Sequence, residues 1–265
     1  MHAKPARFDS VGPVDSEQNA AEQPGGGNSA WEQLAPGVAR RRLPFLDVTI
    51  GLVVGAEAVM LVDTGSSLRE GEELRGQVEA LTGRAVTHVV LTHGHFDHVL
   101  GTAEFPEAEV YGEQSLAGYL RREQLRMPVT AAEYGADPME TAEAVRALVP
   151  PDRPVSGELA LDLGERPVHL VHLGPGHTGH DLVVHVPGAT GSDPAVVFCG
   201  DLVEESGEPQ AGGDAVTARW AETLDALLAL GGETARYVPG HGAVVDARFV
   251  RAQRDALAER FTAGE

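Results

Sequence analysis

Thr92-His93-Gly94-His95-Phe96-Asp97-His98 sets three imidazoles and a carboxylate side by side, immediately after the apolar run Val89-Val90-Leu91. Imidazole nitrogen and carboxylate oxygen are donors that suit zinc, iron and manganese, and so dense a group of them reads as a metal site. Its position points the same way, since α/β proteins gather their chemistry on loops at strand ends.

Reading upstream, the run Ala58-Val59-Met60-Leu61-Val62 closes on Asp63-Thr64-Gly65, and Ser66-Ser67 supplies an N-cap for an amphipathic stretch over 68–81. A strand over 85–91 then delivers the His-rich loop. Farther upstream, residues 37–40 and 48–54 run in strand fashion, with a tight turn at 55–57. Residues 1–29 are rich in Gly, Gln, Glu and Pro and are expected to form a disordered tail, so the domain proper should cover 30–265.

Downstream, residues 112–154 are helical in composition but broken by Pro128, Gly135 and Pro138, which predicts a helical insertion. Within it, Tyr119, Leu120, Met127 and Tyr134 either line a pocket or pack the insertion onto the core, and packing is the preferred reading. Further strands are expected at 158–163, 168–173, 181–186 and 195–199, then helices at 217–230 and 246–261 around a short strand at 237–238.

Four polar clusters follow apolar runs: the opening block, Gly174-Pro175-Gly176-His177-Thr178, Gly200-Asp201, and Pro239-Gly240-His241-Gly242. Together His93, His95, His98, His177 and His241 with Asp97 and Asp201 form a nitrogen and oxygen donor set suited to two Zn²⁺ ions, with iron or manganese as alternatives. Two such ions can hold a hydroxide between them and polarise the carbonyl it attacks, so hydrolysis is the expected chemistry. Glu204 and Glu205 are read as a solvated pair, and Cys199 as a buried core thiol.

In this order and at these spacings the clusters resemble the metallo-β-lactamase superfamily, from about Trp31 onward. The resemblance implies a four-layer αβ/βα sandwich, two mixed β-sheets flanked by helices. It implies that His93, His95 and His177 bind a first metal and Asp97, His98 and His241 a second, with Asp201 bridging and Asp97 relaying a proton. Asp63 matches a position that supports a metal-bound imidazole, here expected to be His95, or else it is a turn aspartate. Thr178 either orients a ligand or caps a turn. Many relatives have Thr, any residue, then Gly after the later His, whereas this chain has Thr178-Gly179-His180-Asp181. His180 therefore either approaches the metals or substrate, or is structural. The substrate bond is expected to be an ester, thioester, lactone or amide of a small molecule, chosen by the insertion and the loop at 207–214. A mononuclear iron persulfide dioxygenase and a β-lactam-hydrolysing enzyme are the alternatives.

A formal charge of −20 over 265 residues, with no basic stripe, disfavours nucleic acid as a partner. Apolar runs too short to cross a bilayer exclude a membrane helix. A single cysteine and the lack of an apolar leader lead to a cytoplasmic expectation, with oligomeric state left open.

Overall fold

The apolar runs of the first half pair into a seven-stranded mixed sheet in strict chain order: β1 (Glu32–Ala35), β2 (Val38–Arg42), β3 (Thr49–Val54), β4 (Val59–Val62), β5 (His88–Val90), β6 (Glu109–Glu113) and β7 (Arg153–Val155). The first four strands are antiparallel to their neighbours, and β4 to β7 run parallel. The computed structural model describes residues 31–190 and 193–262; the tail expected at 1–29 lies outside the described residues.

A second sheet of five strands takes the order β12-β11-β10-β9-β8, from β8 (Glu158–Asp162), β9 (Pro167–Val171), β10 (Val183–Val186), β11 (Val196–Glu204) and β12 (Arg236–His241). Only β11 and β12 pair in parallel. Seven α-helices accompany the sheets among the described residues: α1 (Leu68–Thr82), α2 (Phe96–Val99), α3 (Leu116–Glu123), α4 (Met127–Glu133), α5 (Pro138–Ala147), α6 (Thr217–Gly231) and α7 (Ala247–Thr262).

Three apolar clusters glue the layers. Between the sheets lie Val53, Met60, Val62 and Val90 from one side and Leu170, Val184, Phe198 and Val238 from the other. On the outer face of the larger sheet, Ile50, Leu52, Leu61 and Val89 pack against Leu74 and Val78 of α1 and Leu116 and Leu120 of α3. On the outer face of the smaller one, Val183, Val197 and Cys199 pack against Trp220 and Leu224 of α6 and Val250 of α7. The result is the expected αβ/βα sandwich, each sheet hiding one face on its twin and the other under helices.

The insertion consists of α3, α4 and α5, bracketed by β6 and β7. Leu120 and Met127 are buried as packing residues, but Met127 also borders a cavity together with Tyr119 and Tyr134. No helix among the described residues is long and apolar enough to cross a membrane.

Candidate metal centre

The centre forms where loops leave the strand ends of both sheets. From the first sheet, the chain beyond β5 presents His93 in a bend and His95 in extended backbone, then turns into α2, which carries Asp97 and His98. From the second, the segment between β9 and β10 supplies His177, β11 supplies Asp201, and β12 ends on His241. Register shifts around Gly200 take β11 out of regular pairing with β12 at Asp201. Gly240 is required beside it, because a Cβ there would run into Asp201 Oδ1.

Three overlapping donor groups result among the described residues, one of them Asp201, Glu204 and His241. His93, His95, His177 and Asp201 offer atoms within 4.8 Å of one another, and so do Asp97, His98 and His241. They meet at Asp201: its Oδ2 lies 3.6 Å from His93 Nε2, 3.4 Å from His177 Nε2 and 3.3 Å from His241 Nε2, and its Oδ1 lies 3.3 Å from His98 Nε2. Asp97 Oδ2 is 3.4 Å from His241 Nε2.

Each imidazole spends its other nitrogen on an anchor. His98 Nδ1 donates to Asp63 Oδ2 (2.8 Å), His177 Nδ1 to the Gln210 carbonyl (3.0 Å), and His241 Nδ1 to the Leu46 carbonyl (2.7 Å). The Thr92 hydroxyl gives its single proton to Asp63 Oδ2 (2.8 Å), so at 3.1 Å it accepts from His93 Nδ1. His95 alone turns the opposite way, with Nε2 donating to Asp214 Oδ2 at 3.2 Å and Nδ1 facing His177 Nε2 at 2.9 Å. Five ring nitrogens thus converge on one small volume with their tautomers fixed from behind. Among the described residues, the buried His93 Nε2 and Asp201 Oδ1 find no hydrogen-bond partner. Orphaned inward-facing donors beside carboxylates are what a divalent cation requires, and the set fits one.

The electrostatics divide the rings: against burial, Asp214 raises His95, and Asp201 raises His98 well above the usual range. Burial works against the Asp201 charge, yet the imidazoles of His241, His98, His93 and His177 outweigh it and hold the carboxyl well below its usual range. Burial lowers His177 to about 4 and pushes His93 well down, favouring the neutral rings that bind metals. For His241, burial is overcome by Asp201, which lifts the ring to about 10.

Two expectations need correction, the partner of Asp63 and the exposure of Glu204, while Thr178, His180 and Cys199 each take one of the roles expected of them. Asp63 does support an imidazole, but that of His98 rather than His95. Its two oxygens also accept from Thr92 N and Thr92 Oγ1, each at 2.8 Å, and its φ of 63° shows a backbone bent for this purpose. Thr178 caps a turn: its N–H and hydroxyl both bond to Asp181, the hydroxyl at 2.6 Å. His180 does not border the cavity; it is buried behind Tyr119, ring centroids 4.3 Å apart, with Nε2 accepting from Gly94 N. Glu204 is not solvated but buried, with Oε1 accepting from Ser206, and it lies close to Asp201 and His241. Cys199 is buried among apolar side chains on the outer face of the smaller sheet.

Sequence reading missed Asp214, the bond that Tyr119 makes to it, and the carbonyls of Leu46 and Gln210. Leu46 and Asp47 both adopt left-handed backbone, φ 56° and 59°, in the turn that aims the Leu46 carbonyl at His241. Nothing in residue type announces a carbonyl anchor. In front of the donors opens a cavity of about 800 Å³, lined by Phe96, Met127, Tyr134, Glu208 and Asp214 among others.

Fold and donor set together define an αβ/βα sandwich with a buried His and Asp cluster of a kind that could hold metal ions. A sequence profile described as the metallo-β-lactamase superfamily matches residues 43–241, and the chain belongs to that superfamily. It is 27% identical over 164 residues to metallo-β-lactamase domain-containing protein 1 of Xenopus laevis, a match covering 61% of this chain and 57% of the frog protein. It is 31% identical over 164 residues to an uncharacterised protein of Mycobacterium tuberculosis, covering 58% of this chain and 68% of that one. The crystal structure of DIM-1 metallo-β-lactamase superposes with a TM-score of 0.67 at 18% identity, covering 87% of this chain and 97% of the other, a likeness of fold.

Proposed function

We propose that the protein is a metal-dependent hydrolase that cleaves an ester, thioester, lactone or amide bond of a small molecule with two zinc-class cations. The observation that supports this best is the meeting of two donor groups at one buried carboxylate, Asp201. His93, His95 and His177 would hold one cation, Asp97, His98 and His241 the other, and Asp201 would be shared. When bound, such a pair supplies Lewis acidity toward a carbonyl oxygen and water that ionises near neutral pH. A pair of donor groups around a shared carboxylate favours two cations over a lone iron, which places the persulfide dioxygenase reading second.

The chain's own residues provide the rest. Asp63 keeps His98 oriented through Nδ1, and Gly240 leaves Asp201 room to reach both groups. Asp97 borders the cavity as well as the second donor group, which positions it to carry a proton toward a leaving group. Phe96, Met127 and Tyr134 give the cavity an apolar wall that would bury the hydrocarbon part of a substrate and exclude water.

The test is metal analysis of the purified protein together with a panel of ester, thioester, lactone and β-lactam substrates. Two cations per chain and turnover of at least one acyl class are expected, both lost in His95→Ala and Asp201→Ala. Full turnover in a variant stripped of cations would overturn the reading.

A further inference from the structure

Four of the five inward-facing imidazoles are anchored by groups on or beside the strand ends or by a backbone carbonyl. His95 differs. Its anchor is the Asp214 side chain, which closes the Gly-rich loop at 207–214 and sits 119 residues away in sequence. Asp214 is itself held: Tyr119 of α3 donates its hydroxyl to the same Oδ2 at 2.8 Å, and the Tyr119 ring leans on buried His180, whose Nε2 accepts from Gly94 N next to His95. The same loop supplies the Gln210 carbonyl that anchors His177. Asp63 is not available for His95, since its oxygens are occupied by Thr92 and His98.

Resting on the reading of the centre as two cation positions, we propose that Asp214, steadied by Tyr119, is the positioning residue for His95, so that the loop walling the substrate cavity also sets the affinity of the first cation position alone. A carboxylate accepting the distal N–H of a ligating imidazole fixes its tautomer and raises its basicity, and loss of such a partner typically weakens metal binding by about 10–100-fold. The second position, built from Asp97, His98 and His241, has its own anchors in Asp63 and the Leu46 carbonyl and shares none with this loop.

The experiment strips the full-length protein of metal and titrates it with Zn²⁺ against a chromophoric chelator, and with Co²⁺ followed by its visible spectrum. Wild type, Asp214→Ala and Tyr119→Phe are compared. In Asp214→Ala one of two binding steps should weaken by about 10–100-fold while the other stays put, and the Co²⁺ band of only one position should change. Tyr119→Phe, which removes a single hydroxyl, should weaken the same step to a lesser degree, and it keeps the test decisive if the alanine variant does not fold. Unchanged affinity at both positions in either variant, or parallel weakening of both, overturns the inference while leaving the hydrolase reading intact. A wild-type protein that binds no cation overturns both.

Discussion

Asp63 shows how much a single side chain can carry. It is buried, sits in left-handed backbone, and takes up three donors: Thr92 N, Thr92 Oγ1 and His98 Nδ1. Asp63→Ala leaves all three without a partner and should destabilise the protein by about 3 kcal/mol or more, measured by urea denaturation. Asp63→Asn tolerates the backbone but brings an amide N–H against one donor, so it should fold while binding cations about 10–100-fold more weakly. At the opposite extreme, Cys199 is buried and its thiol pKa is pushed far up by desolvation. It should resist iodoacetamide in the native protein and react fully only after unfolding, as read by mass spectrometry. At this scale the seven donors were legible because each follows an apolar run, whereas Asp214 and Tyr119 were not. They come from segments far apart in the chain, α3 and the loop at 207–214, and carry no periodic or spacing signal that links them to His95.

Among the elements, α1 matters because it supports the loop that follows the donor block. Its ends are marked in sequence: Ser67 Oγ accepts from Glu70 N at 3.2 Å, and Gly83 closes it in left-handed backbone. Its face meets the turn after α2 at two glycines, Gly71 and Gly101, and a Cβ on Gly101 would collide with the Thr64 carbonyl and crowd Gly71. Gly101→Ala should therefore cost about 1–3 kcal/mol and loosen the segment whose His98 carbonyl accepts from Thr64 N at 2.8 Å. Gly76, on the same helix with nothing within 4 Å of its would-be Cβ, is the control: Gly76→Ala should stabilise by about 0.5–1 kcal/mol. Thermal melts of the two variants should give shifts of opposite sign, and shifts of the same sign would mean that the Gly71–Gly101 crossing is not tight. The strands that sequence reading left out have physical reasons for silence. β1 is a half-exposed edge strand, β6 is flanked by Glu109 and Glu113, and β7 holds a proline, which only an edge tolerates.

Across the whole molecule, the donors divide between the two halves: His93, His95, Asp97 and His98 come from loops of the seven-stranded sheet, and His177, Asp201 and His241 from the five-stranded one. Cations held between them would act as a cross-link that exists only in the folded state, so their removal should lower Tm. With free cation at about 100 times Kd, each contributes about 2.7 kcal/mol, or roughly 5–10 °C for a domain of this size. The effect must depend on pH, and the sign follows from His241. Although burial opposes its charge, Asp201 raises its folded pKa to about 10. In metal-free protein the charged ring therefore adds stability that is fully present below its unfolded pKa of about 6.5 and is lost as pH rises through about 10. Cation binding moves the other way, because it must displace that proton and tightens as pH rises. Both trends widen the gap between loaded and chelator-treated protein, so the Tm difference should grow steadily from pH 6.5 toward pH 10. Calorimetry in buffers of different ionisation enthalpy should also register protons released on Zn²⁺ addition at pH 8. A gap that stays flat or shrinks over this range would mean that His241 does not exchange its proton for a cation.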